Sequence, residues 1–183
     1  KAQNKQLTKE SDNQLSFSFV KQKEFKALWI DLTERILQVI SEKYPSSKCH
    51  LDHSGIYARI RGNFCSYHAD NVYFDCPIHG KDQENLRKVC KGICPGSKFV
   101  PNHTFWREYT ALLYLNDDFE GGEISFEDGP FQKIYKKKIP IRSCMLVLAP
   151  NGSNFYHEVF PIRKGVRYSM HFWFTSDPRY RAY

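Results

Sequence analysis

The strongest chemical signal in the chain is Ser66-Tyr67-His68-Ala69-Asp70, which sets an imidazole and a carboxylate two residues apart. On a strand, residues i and i+2 share a face, so His68 Nε2 and the Asp70 carboxylate can converge on one metal ion. His157, in a later strand-like run, is the expected third ligand. Two imidazoles and one carboxylate on one side of a metal leave three adjacent positions open. That is the facial triad of non-haem Fe(II) oxygenases, in which a bidentate oxo-acid and O2 take the open positions. Ten residues beyond His157 lies Arg167. Its guanidinium is suited to hold the distal carboxylate of 2-oxoglutarate by two parallel hydrogen bonds. Ser169 shares the strand face of Arg167, and Thr110 and Tyr114 share a face of another strand, so their hydroxyls are candidate contacts to the same cosubstrate. His-x-Asp alone recurs by chance in a chain with seven histidines. The ordered set of His-x-Asp, a distant His and an Arg ten residues later, all on strands, is far more selective.

A site of this kind needs strands to hold it, and the sequence is rich in them. Strand-like runs fall at residues 55–60, 67–74, 104–115, 123–126, 132–141, 144–148, 154–159 and 165–175. Between them lie turn signals such as Asn116-Asp117-Asp118, Gly121-Gly122, Pro150-Asn151-Gly152 and Lys164-Gly165. Roughly eight short strands in this rhythm predict a sandwich or jelly roll rather than a parallel α/β sheet. Ahead of them, Phe25, Leu28, Trp29, Leu32, Ile36, Leu37, Val39 and Ile40 recur every three or four residues, predicting an amphipathic helix over 21–44 that Pro45 ends. Such a helix packs on the outside of a sheet. Residues 1–20 read as a polar leader or edge segment, and 21–183 as one domain. Residues 76–101 interrupt the strand rhythm as an insertion, half loop and half a short helix near 82–89. Phe172 and Phe174 alternate with His171 and Trp173, so one set belongs to the core. Phe155 and Tyr156 flank His157, where they either border a substrate groove or pack.

The chain has 183 residues, one domain's worth, with 41% hydrophobic and 15% aromatic residues, which excludes a disordered chain. No apolar stretch is long enough to span a membrane. The net charge of +7 admits an anionic partner, but lysines in the leader and at 136–138 carry much of the excess as solvated charge. Six cysteines, an even number, permit three disulfides. Within the insertion, Cys76-x-x-His79 and Cys90-x-x-x-Cys94 also spell a Cys3His zinc set, with disulfides and free thiols as competing readings. Two acceptor sequons, Asn102-His103-Thr104 and Asn151-Gly152-Ser153, together with the cysteines, point to a glycoprotein of the secretory pathway. Lys1 is not a natural start, and the sequence reads as a mature or excised piece.

Three stretches carry a resemblance to a known family: Tyr67-His68-Ala69-Asp70-Asn71, the run from Arg107 through Tyr109-Thr110-Ala111-Leu112-Leu113-Tyr114-Leu115-Asn116-Asp117-Asp118-Phe119-Glu120-Gly121-Gly122-Glu123, and Trp173-Phe174-Thr175-Ser176-Asp177-Pro178. Together they resemble the catalytic domain of the leprecan-type prolyl 3-hydroxylases, 2-oxoglutarate and Fe(II) dioxygenases of the prolyl hydroxylase superfamily. The resemblance covers about two-thirds of the chain. It implies a mainly β, cupin-like jelly roll (a double-stranded β-helix) over about 55–176 with a flanking helix. It also implies iron on His68, Asp70 and His157, the 2-oxoglutarate tail on Arg167, and ascorbate as an accessory. The implied reaction hydroxylates a protein side chain, peptidyl proline foremost, with release of succinate and CO2, and the implied compartment is the endoplasmic reticulum lumen. The 76–101 insertion departs from the family pattern and leaves the peptide substrate open. Two other readings stand beside this one: a nucleic-acid demethylase of the same oxygenase class, and a non-catalytic jelly-roll binding module. Cytoplasm or nucleus is the alternative compartment.

Overall fold

The computed structural model describes residues 13–16, 23–78, 80, 94–127 and 138–182. The helix forms as its periodicity dictates: α1 runs Lys23–Lys43 and ends just ahead of Pro45. Thirteen strands accompany it in the described residues: β1 Asn13–Ser16, β2 His50–Arg59, β3 Cys65–His68, β4 Val72–Asp75, β5 Lys98–Pro101, β6 Tyr109–Tyr114, β7 Glu120–Gly121, β8 Ile124–Glu127, β9 Lys138–Ile139, β10 Leu146–Pro150, β11 Tyr156–Val159, β12 Ile162–Lys164 and β13 Arg167–Thr175. A 3-10 turn, Pro178–Tyr180, follows, with the Asp177 side chain accepting from the Arg179 amide. No described helix is long and apolar enough to cross a membrane.

The major sheet has the order β1-β2-β13-β6-β10 and the minor sheet β3-β11-β8-β9, with β12-β7 and β4-β5 as separate pairs. Every pairing is antiparallel. This is the expected jelly roll. Residues 13–16 contribute β1 at the edge of the major sheet, paired to β2. Two further features correct the sequence reading. The run 67–74 is two strands, broken at Ala69-Asp70-Asn71. The end of the insertion forms β5, which pairs with β4. The short helix expected near 82–89 and most of the 132–141 strand lie outside the described residues.

Alternation along the major sheet separates core from site. Met170, Phe172 and Phe174 of β13, with Tyr109 and Ala111 of β6 and Leu51 of β2, meet Trp29, Ile36 and Ile40 of α1 in the main hydrophobic cluster. Each such large side chain taken fully out of water contributes roughly 1.5–3 kcal/mol. Trp29 also donates from Nε1 to Ser54 Oγ at 2.8 Å, so its indole is satisfied as well as buried. The intervening residues Arg167, Ser169, His171 and Trp173 therefore face away from the helix, toward the interior between the sheets. Of the two sets weighed from sequence, the phenylalanines are core and the His-Trp pair lines the cavity.

Cys49, Cys65 and Cys144 are free thiols, so three disulfides do not form. Cys76 and Cys94 pack with Phe74. His79 and Cys90, which the zinc and disulfide readings also require, lie outside the described residues. Burial and the neighbouring Glu108 carboxylate push the Cys49 thiol up to about 11.

Candidate metal centre

His68 is the last residue of β3, and its Cα partner across the ladder is His157 of β11. Cross-strand pairing thus brings two distant imidazoles side by side, with ring centroids 4.3 Å apart. Asp70 lies in the bend after β3, not on the strand as the i, i+2 argument assumed. Side chains just beyond the insertion hold that bend: Asn102 Nδ2 and Thr104 Oγ1 both donate to the Asp70 carbonyl, at 2.9 and 2.6 Å. The Asp70 carboxylate then sits between the imidazoles, with Oδ1 3.3 Å from His68 Nε2 and 3.8 Å from His157 Nε2. One ligand atom from each of the three residues falls within 4.8 Å of the others.

The surroundings fix the donor state of each group. Thr110, expected as a cosubstrate contact, instead gives its hydroxyl hydrogen to Asp70 Oδ2. Burial alone would raise the Asp70 pKa, but the hydrogen bond with His68, the two imidazoles and Thr110 hold it well below the carboxylate range. A deprotonated carboxylate is what a cation needs. His157 Nδ1 lies 3.2 Å from the Phe155 carbonyl, which can only accept. The hydrogen is therefore on Nδ1, and the Nε2 lone pair faces Asp70, a tautomer lock common around metal-binding histidines. Burial, then the charge of His68, keeps His157 below its ordinary value. His68 is the opposite case: burial works against its charge, but hydrogen bonds with Asp70 and Cys65 outweigh it and hold the imidazole well above 6.5. Cys65 Sγ is 3.6 Å from His68 Nδ1.

Two cavities meet at this cluster. The inner one, of about 220 Å³, includes Tyr57, Arg59, Cys65, Leu112, Val159, Arg167 and His171 in its wall, together with His68, Asp70 and His157. The outer one, of about 330 Å³, is lined by Tyr73, Asn102, His103, Thr104 and Arg107. His68, Asp70 and Trp173 belong to both. Arg107 anchors this partition: its Nε donates to Asp52 at 2.7 Å, and its guanidinium lies 4.5 Å over the Trp173 ring.

Arg167 is where the sequence placed it, buried at 1% exposure, with Nη1 donating to the Gly122 carbonyl at 3.0 Å. Gly122 has φ +68, and a Cβ there would lie 2.4 Å from Ile162 Cδ1 and 3.4 Å from Arg167 Nη1, so the Gly121-Gly122 turn shapes the arginine's seat. The guanidinium carbon is 5.7 Å from the Tyr114 ring centroid. The Tyr114 hydroxyl, itself buried, has no hydrogen-bond partner among the described residues. Ser169 bonds His171 Nε2 at 2.9 Å. Of the predicted residues, then, His68, Asp70 and His157 come together, Arg167, Tyr114 and Ser169 gather on the major sheet, and Thr110 serves Asp70.

A profile of the 2OG-Fe(II) oxygenase superfamily matches residues 54–175. The chain belongs to that superfamily. Human prolyl 3-hydroxylase 2 is 42% identical over 84 residues, 46% of this chain and 12% of that protein, so the chain corresponds to a small part of its curated relatives. Among solved structures, a Trichoplax adhaerens prolyl hydroxylase in complex with a hypoxia inducible factor peptide fragment superposes with a TM-score of 0.58 at 17% identity, over 94% of this chain and 66% of that one. A collagen prolyl hydroxylase of Paramecium Bursaria Chlorella virus-1 gives 0.54 at 18% identity, over 90% and 79%. These two likenesses show the fold.

The site fits the superfamily's Fe(II) and 2-oxoglutarate. Two imidazoles with an ionised carboxylate suit Fe(II), and a buried orphan hydroxyl beside a buried arginine suits a carboxylate ligand. Several contributors escaped the sequence reading: Arg59, Tyr57, Arg107 and the scaffolding asparagines. The asparagines did leave a signal, read differently. Both sequon amides are engaged, Asn102 on Asp70 and Asn151 on the Arg107 carbonyl at 3.3 Å. The fold thus gives those side chains a structural task. Tyr156 is buried against Tyr67 and Ala69, which settles it as packing.

Proposed function

We propose that His68, Asp70 and His157 hold Fe(II), that Arg167 and Tyr114 hold the distal carboxylate of 2-oxoglutarate, and that the chain hydroxylates a prolyl residue of a protein or peptide. The observation that carries this reading is the position of the triad where the inner and outer cavities meet. That placement separates a buried seat for the oxo-acid from an open approach for a macromolecule. Ferrous iron with 2-oxoglutarate and O2 supplies the oxidant, and succinate and CO2 leave as co-products. The residues of the chain position the reactants. Thr110 keeps the Asp70 carboxylate aimed, Phe155 fixes the His157 tautomer, and the Arg107–Trp173 stack stands between cosubstrate and substrate. Peptidyl proline is favoured by the likeness to prolyl 3-hydroxylases. That likeness also favours the secretory pathway, the endoplasmic reticulum lumen in particular, and ascorbate as the reductant that keeps the iron ferrous.

Anaerobic titration with Fe(II) and 2-oxoglutarate tests the core of the proposal. A weak visible charge-transfer band is expected in the wild type and absent in His68→Ala and Asp70→Ala. Arg167→Ala is expected to retain metal and lose affinity for 2-oxoglutarate. No band in folded, metal-loaded wild type would instead favour a binding module on an oxygenase scaffold. Proline-rich peptides assayed against methylated oligonucleotides for succinate release then test the substrate class.

A further inference from the structure

The wall of the outer cavity presents hydrogen-bond donors with little to receive them. Among the described residues lining it, Asp70 is the one carboxylate, and it is engaged by His68, His157 and Thr110. Asn102 and Thr104 direct their side-chain hydrogens to the Asp70 carbonyl. Arg107 and the exposed His103 stand on the same wall.

Arg107 is held at both its backbone and its side chain. Its amide donates to the Thr104 carbonyl at 3.0 Å, and its own carbonyl accepts from Asn71 Nδ2 at 2.9 Å and Asn151 Nδ2 at 3.3 Å. The guanidinium is fixed by the Asp52 carboxylate on Nε and by the Trp173 ring beneath it. Nε is the one guanidinium nitrogen with a hydrogen bond among the described residues. Nη1 and Nη2, the end-on fork, keep their hydrogens open, and the side chain retains 18% exposure. Asp52 is not part of the cavity wall, so the cavity meets the cation and not its counter-ion. A planar fork is matched by a carboxylate, which accepts two parallel hydrogen bonds, and a fork already fixed in place loses little freedom on binding. One fork suits one carboxylate on a peptide better than a nucleic-acid backbone, whose binding draws on several cations along a track. A cavity of about 330 Å³ has room for little beyond a target side chain and its neighbour.

We propose that Arg107 is a specificity-determining residue, and that the outer cavity selects peptides with an aspartate or glutamate beside the hydroxylated residue, the carboxylate seated on Nη1 and Nη2. This rests on the oxygenase reading above and narrows its macromolecular substrate to an acidic peptide.

The test is fluorescence anisotropy on protein loaded anaerobically with Mn(II) and 2-oxoglutarate. The probes are labelled peptides with one central proline in a Gly-Ser background, its neighbours being Glu, Gln or Lys. A charge-assisted bidentate pair corresponds to roughly tenfold or more in affinity. The Glu peptide is therefore expected to bind wild type at least about tenfold more tightly than its Gln isostere, with the Lys peptide weakest and the gap narrowing as salt is raised. Arg107→Gln is expected to bring the Glu-to-Gln ratio close to one, and Arg107→Lys, charged but unforked, to fall between the two. Mn(II) affinity within about twofold of wild type identifies folded variants, and the wild-type panel decides the matter alone if neither folds. Equal binding of the Glu and Gln peptides, a preference for Lys, or a ratio that Arg107→Gln leaves intact overturns the proposal. A loaded wild type that binds a single-stranded methylated oligonucleotide and none of the peptides overturns it together with the peptide reading. Failure to bind 2-oxoglutarate at all is a separate result, in which the oxygenase reading itself falls.

Discussion

Thr110→Val removes the hydroxyl that meets Asp70 and Asn151 and almost no volume, which makes it a probe of how the metal centre is held. The Thr110 hydroxyl donates to Asp70 Oδ2, while Asp70 Oδ1 faces the two imidazoles. Without Thr110 the carboxylate is free to rotate and carries an unsatisfied oxygen in a mostly buried site. A hydrogen bond to a charged group is worth roughly 1.5–3 kcal/mol, or about 10- to 150-fold in an equilibrium constant. The metal itself offsets part of the lost interaction by balancing the charge. A drop in Mn(II) affinity of about 10- to 100-fold is therefore expected, the range typical of such supporting groups. Thr110→Ser keeps the hydroxyl and should bind Mn(II) within a few-fold of wild type. Isothermal titration of both variants, with circular dichroism to establish that they are folded, provides the comparison. Wild-type metal affinity in Thr110→Val would refute the idea that this hydroxyl orients the ligand.

Three other outcomes follow from the geometry. Hydrogen bonds with Asp70 and Cys65 hold the His68 imidazole above its ordinary value in the metal-free protein against the pull of burial, and a ligand imidazole must be neutral. Mn(II) binding should thus be accompanied by proton release and its apparent affinity should rise with pH, measurable by calorimetry in buffers of different ionisation enthalpy; a pH-independent affinity with no proton release would refute the assignment of His68 as a ligand. The metal-free fold shows the matching signs. His68, raised, contributes stability below about 6.5 that is lost as pH rises through its folded value, whereas Asp70, depressed from 3.8, contributes stability above that value that is lost as pH falls through its folded one. Gly121→Ala should be far more damaging than Gly62→Ala, although both have positive φ, because the added Cβ would lie 2.2 Å from the Pro161 carbonyl oxygen in the first and meets nothing within 4 Å in the second. Thermal melting should separate them by several degrees, and equal melting temperatures would remove the steric argument. Trp29→Phe leaves Ser54 without its indole donor and opens space under the main cluster, at a cost of about 2–4 kcal/mol, read as a lower midpoint in urea.

What the sequence showed and what it hid divide along physical lines. Helix α1 was legible because its apolar period is long and Pro45 bounds it. His68, Asp70, His157 and Arg167 were legible because their chemistry is unusual and their order restrictive. Asp70 was located without its backbone: the reading put it on a strand, but Asn102 and Thr104, about thirty residues on, fold it into a bend. Thr110 and Tyr114 share a face as expected, yet only the packed structure shows that one hydroxyl has a partner in Asp70 and the other has none. Arg59 was hidden because its meaning lies in register. Nothing within five residues of Arg59 marks it; its significance appears when β2 aligns it with Arg167.

Strand β13 carries two messages in alternate letters, with Phe172 and Phe174 written for the helix side and Arg167, Ser169, His171 and Trp173 for the cavity. Shifting its register by one residue would exchange the two sets, driving a guanidinium against Trp29 and phenylalanines into the inner cavity. Insertions and deletions within this strand should therefore be lethal to fold and chemistry together. Divergence among descendants of this chain is left with substitution in place, on one face or the other, and the length of the strand becomes an inherited constant.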